Sequence, residues 1–155
     1  MKKLNERLSD LFRENRVQTF QCPVDELLGD LPVSPTMYPE ILRKADQISG
    51  NKYKPQIYAT RELPHRVIQG INDALALRLL HVQMAEFTPV SMTESQMLRA
   101  RFDDIPDFDF RCQLIQRYAA QHIDFDRIAL AKCLSVSTTA LAKFLTHLPN
   151  RNEVC

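Results

Sequence analysis

The chain has 155 residues, of which 45% are hydrophobic and 25% charged, the size and composition of one ordinary globular domain or slightly more. Three glycines and no tryptophan argue against a glycine-looped nucleotide binder and against a turn-rich all-β fold. A formal charge of +1 leaves any attraction for nucleic acid to a local surface. The cysteines Cys22, Cys112, Cys133 and Cys155 form no CxxC pair, and no histidine stands at finger spacing from two of them, so no metal site and no cofactor are expected. The opening MKKLNERLSDLF carries charges where a secretory signal has its apolar segment. The longest apolar stretch, Val67 to Val82, is interrupted by Gln69, Asn72, Asp73, Arg78 and His81, which excludes it as a membrane span. These features together predict a cytoplasmic protein with reduced thiols.

Leu4, Leu8, Leu11 and Phe12 recur at helical spacing and predict an amphipathic first helix, with Lys2, Lys3, Glu6, Arg7 and Arg13 on its wet side. Residues 22 to 38 are proline-rich and predict a loop, with a helical turn at Val24–Leu28. Pro39 suits the first turn of a helix carrying Ile41, Leu42, Ala45 and Ile48, which Gly50-Asn51 ends. NKYKPQIYATREL, with Pro55 inside, predicts an extended segment or an edge strand. Pro64 then opens what reads as the strongest helix, Pro64 to Glu86, with Val67, Ile68, Ile71, Leu75, Leu79 and Val82 on its apolar face. Its width predicts a central core helix or a dimer seam. Thr88-Pro89 is expected to break it. Thr93 to Arg101 predicts a short helix opened by a capping box with Gln96, and Asp107 or Asp109 caps a further helix carrying Phe110, Leu114, Ile115 and Tyr118.

The segment IALAKCLSVSTTALAKFL, residues 128 to 145, carries the pattern with most chemical content. A small residue, Ala131, stands where two helices would cross. Ser135 occupies the turn position four residues later, where glycine is commonest because the backbone there goes left-handed. Val136 supplies a buried apolar residue, and Ser137 can cap a second helix by accepting from Ala140 N–H. Leu141 and Phe144 would pin that helix against Leu130 and Leu134 of the first. This pattern resembles the helix-turn-helix of bacterial DNA-binding proteins over about twenty residues, departing from it at the glycine.

The resemblance implies that the second helix lies in the major groove of duplex DNA. Carried onto this chain, the DNA-facing residues are Ser137, Thr138, Thr139, Ala142, Lys143 and Thr146, with phosphate contacts from Arg127, Lys132 and Arg151 and an addition from His147. Ser and Thr hydroxyls serve bases or phosphates, and their methyls and that of Ala142 suit a thymine methyl. No Arg, Asn or Gln stands on this face, so bidentate base readout is missing. From residue 125 to the end, Arg127, Lys132, Lys143 and Arg151 outnumber Asp126 and Glu153, a local positive excess.

Arg43, Lys44, Lys52, Lys54, Arg61 and Arg66, interleaved with Tyr53 and Tyr58, form a second basic cluster, read as a solvated face balanced by Glu40, Asp46 and Glu62. The carboxylates of DDIPD, residues 103 to 107, read as helix caps rather than a cation site. The histidines 65, 81, 122 and 147 are scattered, and no nucleophile elbow or phosphate-cradling loop is present, so an enzyme is not expected. The expected fold is mainly α. Residues 1–88 form a helical module with a role in dimerisation, and residues 89–155 form the helix-turn-helix region. The expected function is a transcriptional regulator binding double-stranded DNA as a homodimer. The alternative is an all-helical adaptor for a protein partner, or an accessory protein of plasmid or phage DNA processing.

Overall fold

The computed structural model describes residues 18–148. The helix expected over Leu4–Phe12, together with Arg151 and Cys155, lies outside the described residues. In chain order the elements are β1 (Phe20–Pro23), α1 (Val24–Leu28), a 3-10 turn (Pro35–Met37), α2 (Tyr38–Ser49), β2 (Tyr58–Thr60), β3 (Val67–Gln69), α3 (Ile71–Leu79) and β4 (Met84–Val90). Four helices follow: α4 (Glu94–Asp104), α5 (Phe108–Gln121), α6 (Arg127–Leu134) and α7 (Thr138–Thr146).

Over the described residues the fold is mixed α/β, 54% helix and 13% strand, which corrects the mainly α expectation. The four strands form one mixed sheet in the order β1-β4-β2-β3. β1 runs antiparallel to β4 with Phe20 opposite Phe87, β2 runs parallel to β4 with Tyr58 opposite Thr88, and β3 is antiparallel to β2. Along β4, Ala85, Phe87 and Pro89 are buried while Met84 and Glu86 are exposed, the period of two that a half-buried strand requires. Pro89 is tolerated in this inner strand because of its direction. Thr88 N–H and Val90 C=O bond to the β2 side, so Pro89 faces the side where β1 pairing has already stopped at Phe87.

The single long helix expected over Pro64–Glu86 is instead β3, α3 and β4. Pro64 lies in the β2–β3 loop. Gly70 sits at φ +83, a left-handed conformation that ends β3 and starts α3. A Cβ at Gly70 would come within 2.1 Å of the Gln56 carbonyl oxygen, so only glycine fits. His81, at φ 61, closes the other end: its N–H donates to Arg78 O and Val82 N–H to Leu77 O, the paired bonds of a left-handed helix stop. The apolar run looked helical because a fully buried strand and a buried helix both read as continuous hydrophobicity. Of that face, Val67, Ile68, Ile71 and Leu75 are buried within the chain as core, while Leu79 and Val82 are exposed. β2, expected at a sheet edge, is an inner strand, and β1 occupies part of the stretch expected to be loop.

The remaining helices form where capping and periodicity place them. Thr93 and Gln96 close a reciprocal capping box on α4, and Asp107 caps α5 by accepting from Phe110 N–H at 2.9 Å. One hydrophobic core runs from Cys22 through the sheet and α1–α3 to Phe144, joining the sheet to the C-terminal helices. Arg101 on α4 fastens the two parts by donating from Nε to the Val67 carbonyl of β3 at 2.9 Å. Among the described residues no single helix is long and apolar enough to cross a membrane.

Candidate nucleic-acid interface

α6 and α7 meet at 99°, joined by the three residues Ser135, Val136 and Ser137. Each link in this turn has a local cause. Asp126 starts α6 by accepting from Ile128 N–H at 2.9 Å. Ser135 takes φ 55 and ψ 42, the left-handed position where glycine was missed. Its N–H reaches Lys132 O, and Val136 N–H reaches Ala131 O, so the last carbonyls of α6 are satisfied. Ser137 Oγ then accepts from Ala140 N–H at 3.0 Å and starts α7.

The apolar positions hold the pair together. Leu130, Ala131, Leu134, Leu141 and Phe144 are buried, and Val136 is half-buried. Phe144 meets the edge of Phe102 on α4 at 5.6 Å and lies 5.3 Å from Phe108 on α5. Gln116 of α5 donates from Nε2 to Phe144 O and His147 O, capping the end of α7.

Arg99 of α4 was not singled out from the sequence. Its Nη1 donates to Cys133 O and Ser135 Oγ, each at 2.7 Å, while Nε pairs with Asp103 at 2.7 Å. It therefore clamps the turn from outside. An arginine four residues before an aspartate on a helix signals an ion pair and gives no hint of a turn in a distant helix pair, so periodicity could not find it.

The expected DNA-facing residues fall as follows. Thr138, Thr139, Lys143 and Thr146 are exposed on α7, and Ala142 is half-buried among them. At about 100° per residue these five positions span an arc of about 140°, opposite Leu141 and Phe144. Ser137 is exposed at the cap, but its oxygen already serves Ala140. Thr146 Oγ1 donates to Ala142 O at 2.8 Å, which leaves Thr138 and Thr139 as the uncommitted hydroxyls. Lys132 is exposed in the last turn of α6, beside the turn leading to α7, while Arg127 is exposed at the opposite end of α6. His147 is turned inward: Nε2 lies 3.1 Å from Asp109 Oδ1 and the ring packs on Phe108, so it is occupied within the protein.

The first turn of α7 carries no acidic side chain, so its backbone N–H groups and positive dipole end are not neutralised. The second basic cluster is dispersed. Arg43 pairs with Glu40, Lys44 pairs with the buried Asp73 and covers the Tyr53 ring, and Arg61 lies over Phe20. Of the DDIPD carboxylates, Asp104 accepts from Ile71 N–H at 2.9 Å and Asp107 caps α5. Among the described residues no group of three His, Cys, Asp or Glu side chains is placed to hold a metal ion. Comparison with models of known protein families and with curated protein sequences finds no match.

Proposed function

We propose that this chain is a transcriptional regulator that binds duplex DNA non-covalently through α7, acting in the cytoplasm as a homodimer. The observation that supports it is the 99° helix pair whose second helix leaves its Thr138, Thr139, Lys143 and Thr146 face in solvent. Two helices at about 90–120° across a three- or four-residue turn is the geometry that lets the second enter a major groove. Lys143 supplies a cation to a phosphate or a base, and the threonines supply hydroxyls and methyls. Lys132 and Arg127 add phosphate contacts, and the α7 N-terminus offers N–H groups to a backbone phosphate. With no bidentate side chain on the face, phosphate contacts and DNA shape carry much of the affinity.

The test is a fluorescence-anisotropy titration with random-sequence and native upstream duplexes at low and moderate salt. The expected result is binding that weakens with salt, with the logarithmic slope reduced by about 0.9 in Lys143→Ala. The Thr139→Ala/Lys143→Ala variant should lose most of the affinity. Absence of binding to either duplex at low salt, or binding that the double variant leaves intact, overturns the proposal and directs the search to a protein partner.

A further inference from the structure

A cavity of about 190 Å3 lies between the Asp30–Pro32 loop, the entry to β3, and helices α4 and α5. Three arginines reach it from three different elements: Arg66 just before β3, Arg101 on α4 and Arg117 on α5. Among the described residues none of the three is paired with a carboxylate. Main-chain carbonyls orient them instead. Arg66 Nη1 donates to Glu26 O at 2.5 Å, Arg101 Nε to Val67 O, and Arg117 Nη1 to Asp30 O.

A guanidinium carries five N–H donors in a planar fork. Arg101 is half-buried yet commits only Nε, so its two Nη groups have no acceptor among the described residues. Burial pulls Arg101 below its usual range, the charge of Arg66 pulls further, and Asp30 only partly opposes them. Gly29, at φ +51, makes room for Arg66: a Cβ there would come within 2.7 Å of Arg66 Nε. The rim acid Glu94 is already engaged by His122 Nε2 at 2.6 Å.

Arg66 and Arg101 are half-buried with no carboxylate in direct contact, although Asp30 and Glu94 also line the cavity, and an incoming oxyanion would pair with charges those acids do not contact. Arginine forks match phosphate oxygens bidentately. The geometry points to a binding site for a small phosphate-bearing molecule whose phosphoryl group sits among Arg66, Arg101 and Arg117. The cleft, at about 190 Å3, is smaller than the roughly 300–1,000 Å3 of drug-sized sites, so it suits inorganic phosphate or the head of a small phosphomonoester. Its walls are Leu28, the Asp30–Pro32 loop and Arg66 on one side and α4 and α5 on the other. Those two helices also fix the helix pair, through Arg99 on the turn and Gln116 on the end of α7. Occupancy therefore ties the Asp30–Pro32 loop and the segment leading into β3 to the helices that carry α7, the position of an effector. The site stands on its own geometry and does not depend on DNA binding.

The test is thermal unfolding and calorimetric titration of the full chain with inorganic phosphate and with glycerol 3-phosphate, against chloride at matched ionic strength. At ten times Kd the Tm is expected to rise by about 3–6 °C. Arg117→Gln, an exposed position, and Arg101→Lys, which keeps the charge but loses the fork, should each weaken phosphate binding about tenfold. Thr139→Ala/Lys143→Ala should leave it unchanged. No stabilisation beyond that of chloride, or an affinity in Arg117→Gln and Arg101→Lys equal to that of the parent, overturns the proposal. Displacement of phosphate by duplex DNA, together with its loss in the Thr139/Lys143 variant, would reassign the anion response to α7 and overturn it equally.

Discussion

Replacing Ser135 tests the turn on which the helix pair depends, because two effects of similar size oppose each other there. A non-glycine residue in the left-handed region costs about 1–2 kcal/mol relative to glycine's freedom there, partly offset by glycine's larger unfolded-state entropy, so Ser135→Gly should recover about 1 kcal/mol. The same substitution removes the 2.7 Å bond from Arg99 Nη1 to Ser135 Oγ. Both partners have solvent access, so that bond contributes about 0.5–1 kcal/mol. The two terms nearly cancel: Ser135→Gly is expected within about 0.5 kcal/mol of the parent. Ser135→Ala loses the bond and keeps the strain, and is expected to be about 1 kcal/mol less stable than Ser135→Gly, a Tm gap of about 2–4 °C. In an Arg99→Ala background the serine has no bond to lose, so Ser135→Gly should there stabilise by about 1 kcal/mol. Denaturant and thermal unfolding followed by far-UV circular dichroism on the four single and double variants read these differences. If alanine is as stable as glycine at 135, or if the glycine gain is the same with and without Arg99, residue 135 is not left-handed under Arg99, and the turn that orients α7 is not formed this way.

Three further outcomes follow from the sheet and the core. Gly70→Ala forces a Cβ to within 2.1 Å of the Gln56 carbonyl at a positive φ, so it should destabilise by at least about 3 kcal/mol or abolish soluble expression, measured by urea unfolding. Burial pushes the Cys22 and Cys112 thiols up to about 11, Glu26 and Asp109 adding to it, whereas Cys133 is only half-buried. In a Cys155→Ser variant, Ellman's reagent at about pH 8 should label Cys133 in the native protein and the other two only after denaturation. Burial raises the Asp104 carboxyl above its ordinary 3.8, against the pull of the Ile71 and Gly70 N–H groups. An acid with a raised native pKa holds its proton more tightly when folded, so its contribution is present below 3.8 and is lost as pH rises through the native value. The stability of Asp104→Asn relative to the parent should therefore rise from about pH 4 to about pH 7, and a flat difference would show that the carboxyl is not buried.

By itself the sequence determined the parts whose causes lie within a few residues of one another. Ser137 caps by reaching three residues along the chain. Thr93 and Gln96 close their box over one turn, and Ala131, Val136, Leu141 and Phe144 repeat at the helical period, so α4 to α7 and the face of α7 were legible. Even the left-handed Ser135 was located, as the glycine position, without a glycine in it. The tertiary structure alone decided the sheet. β1 and β2 find their partner β4 across long stretches of chain, and strands of three or four residues carry too little pattern to announce that pairing. Val67 to Val82 shows the limit most clearly: continuous burial erases the difference between periods of 2 and 3.6, and only Gly70 and His81, both held left-handed by their surroundings, divide the run into strand and helix. The same holds for Arg99 on the turn and for Arg66, Arg101 and Arg117 around one cavity. Their spacing along the chain is meaningless until the fold brings them together, because charge and hydrogen bonding act through space and not along the sequence.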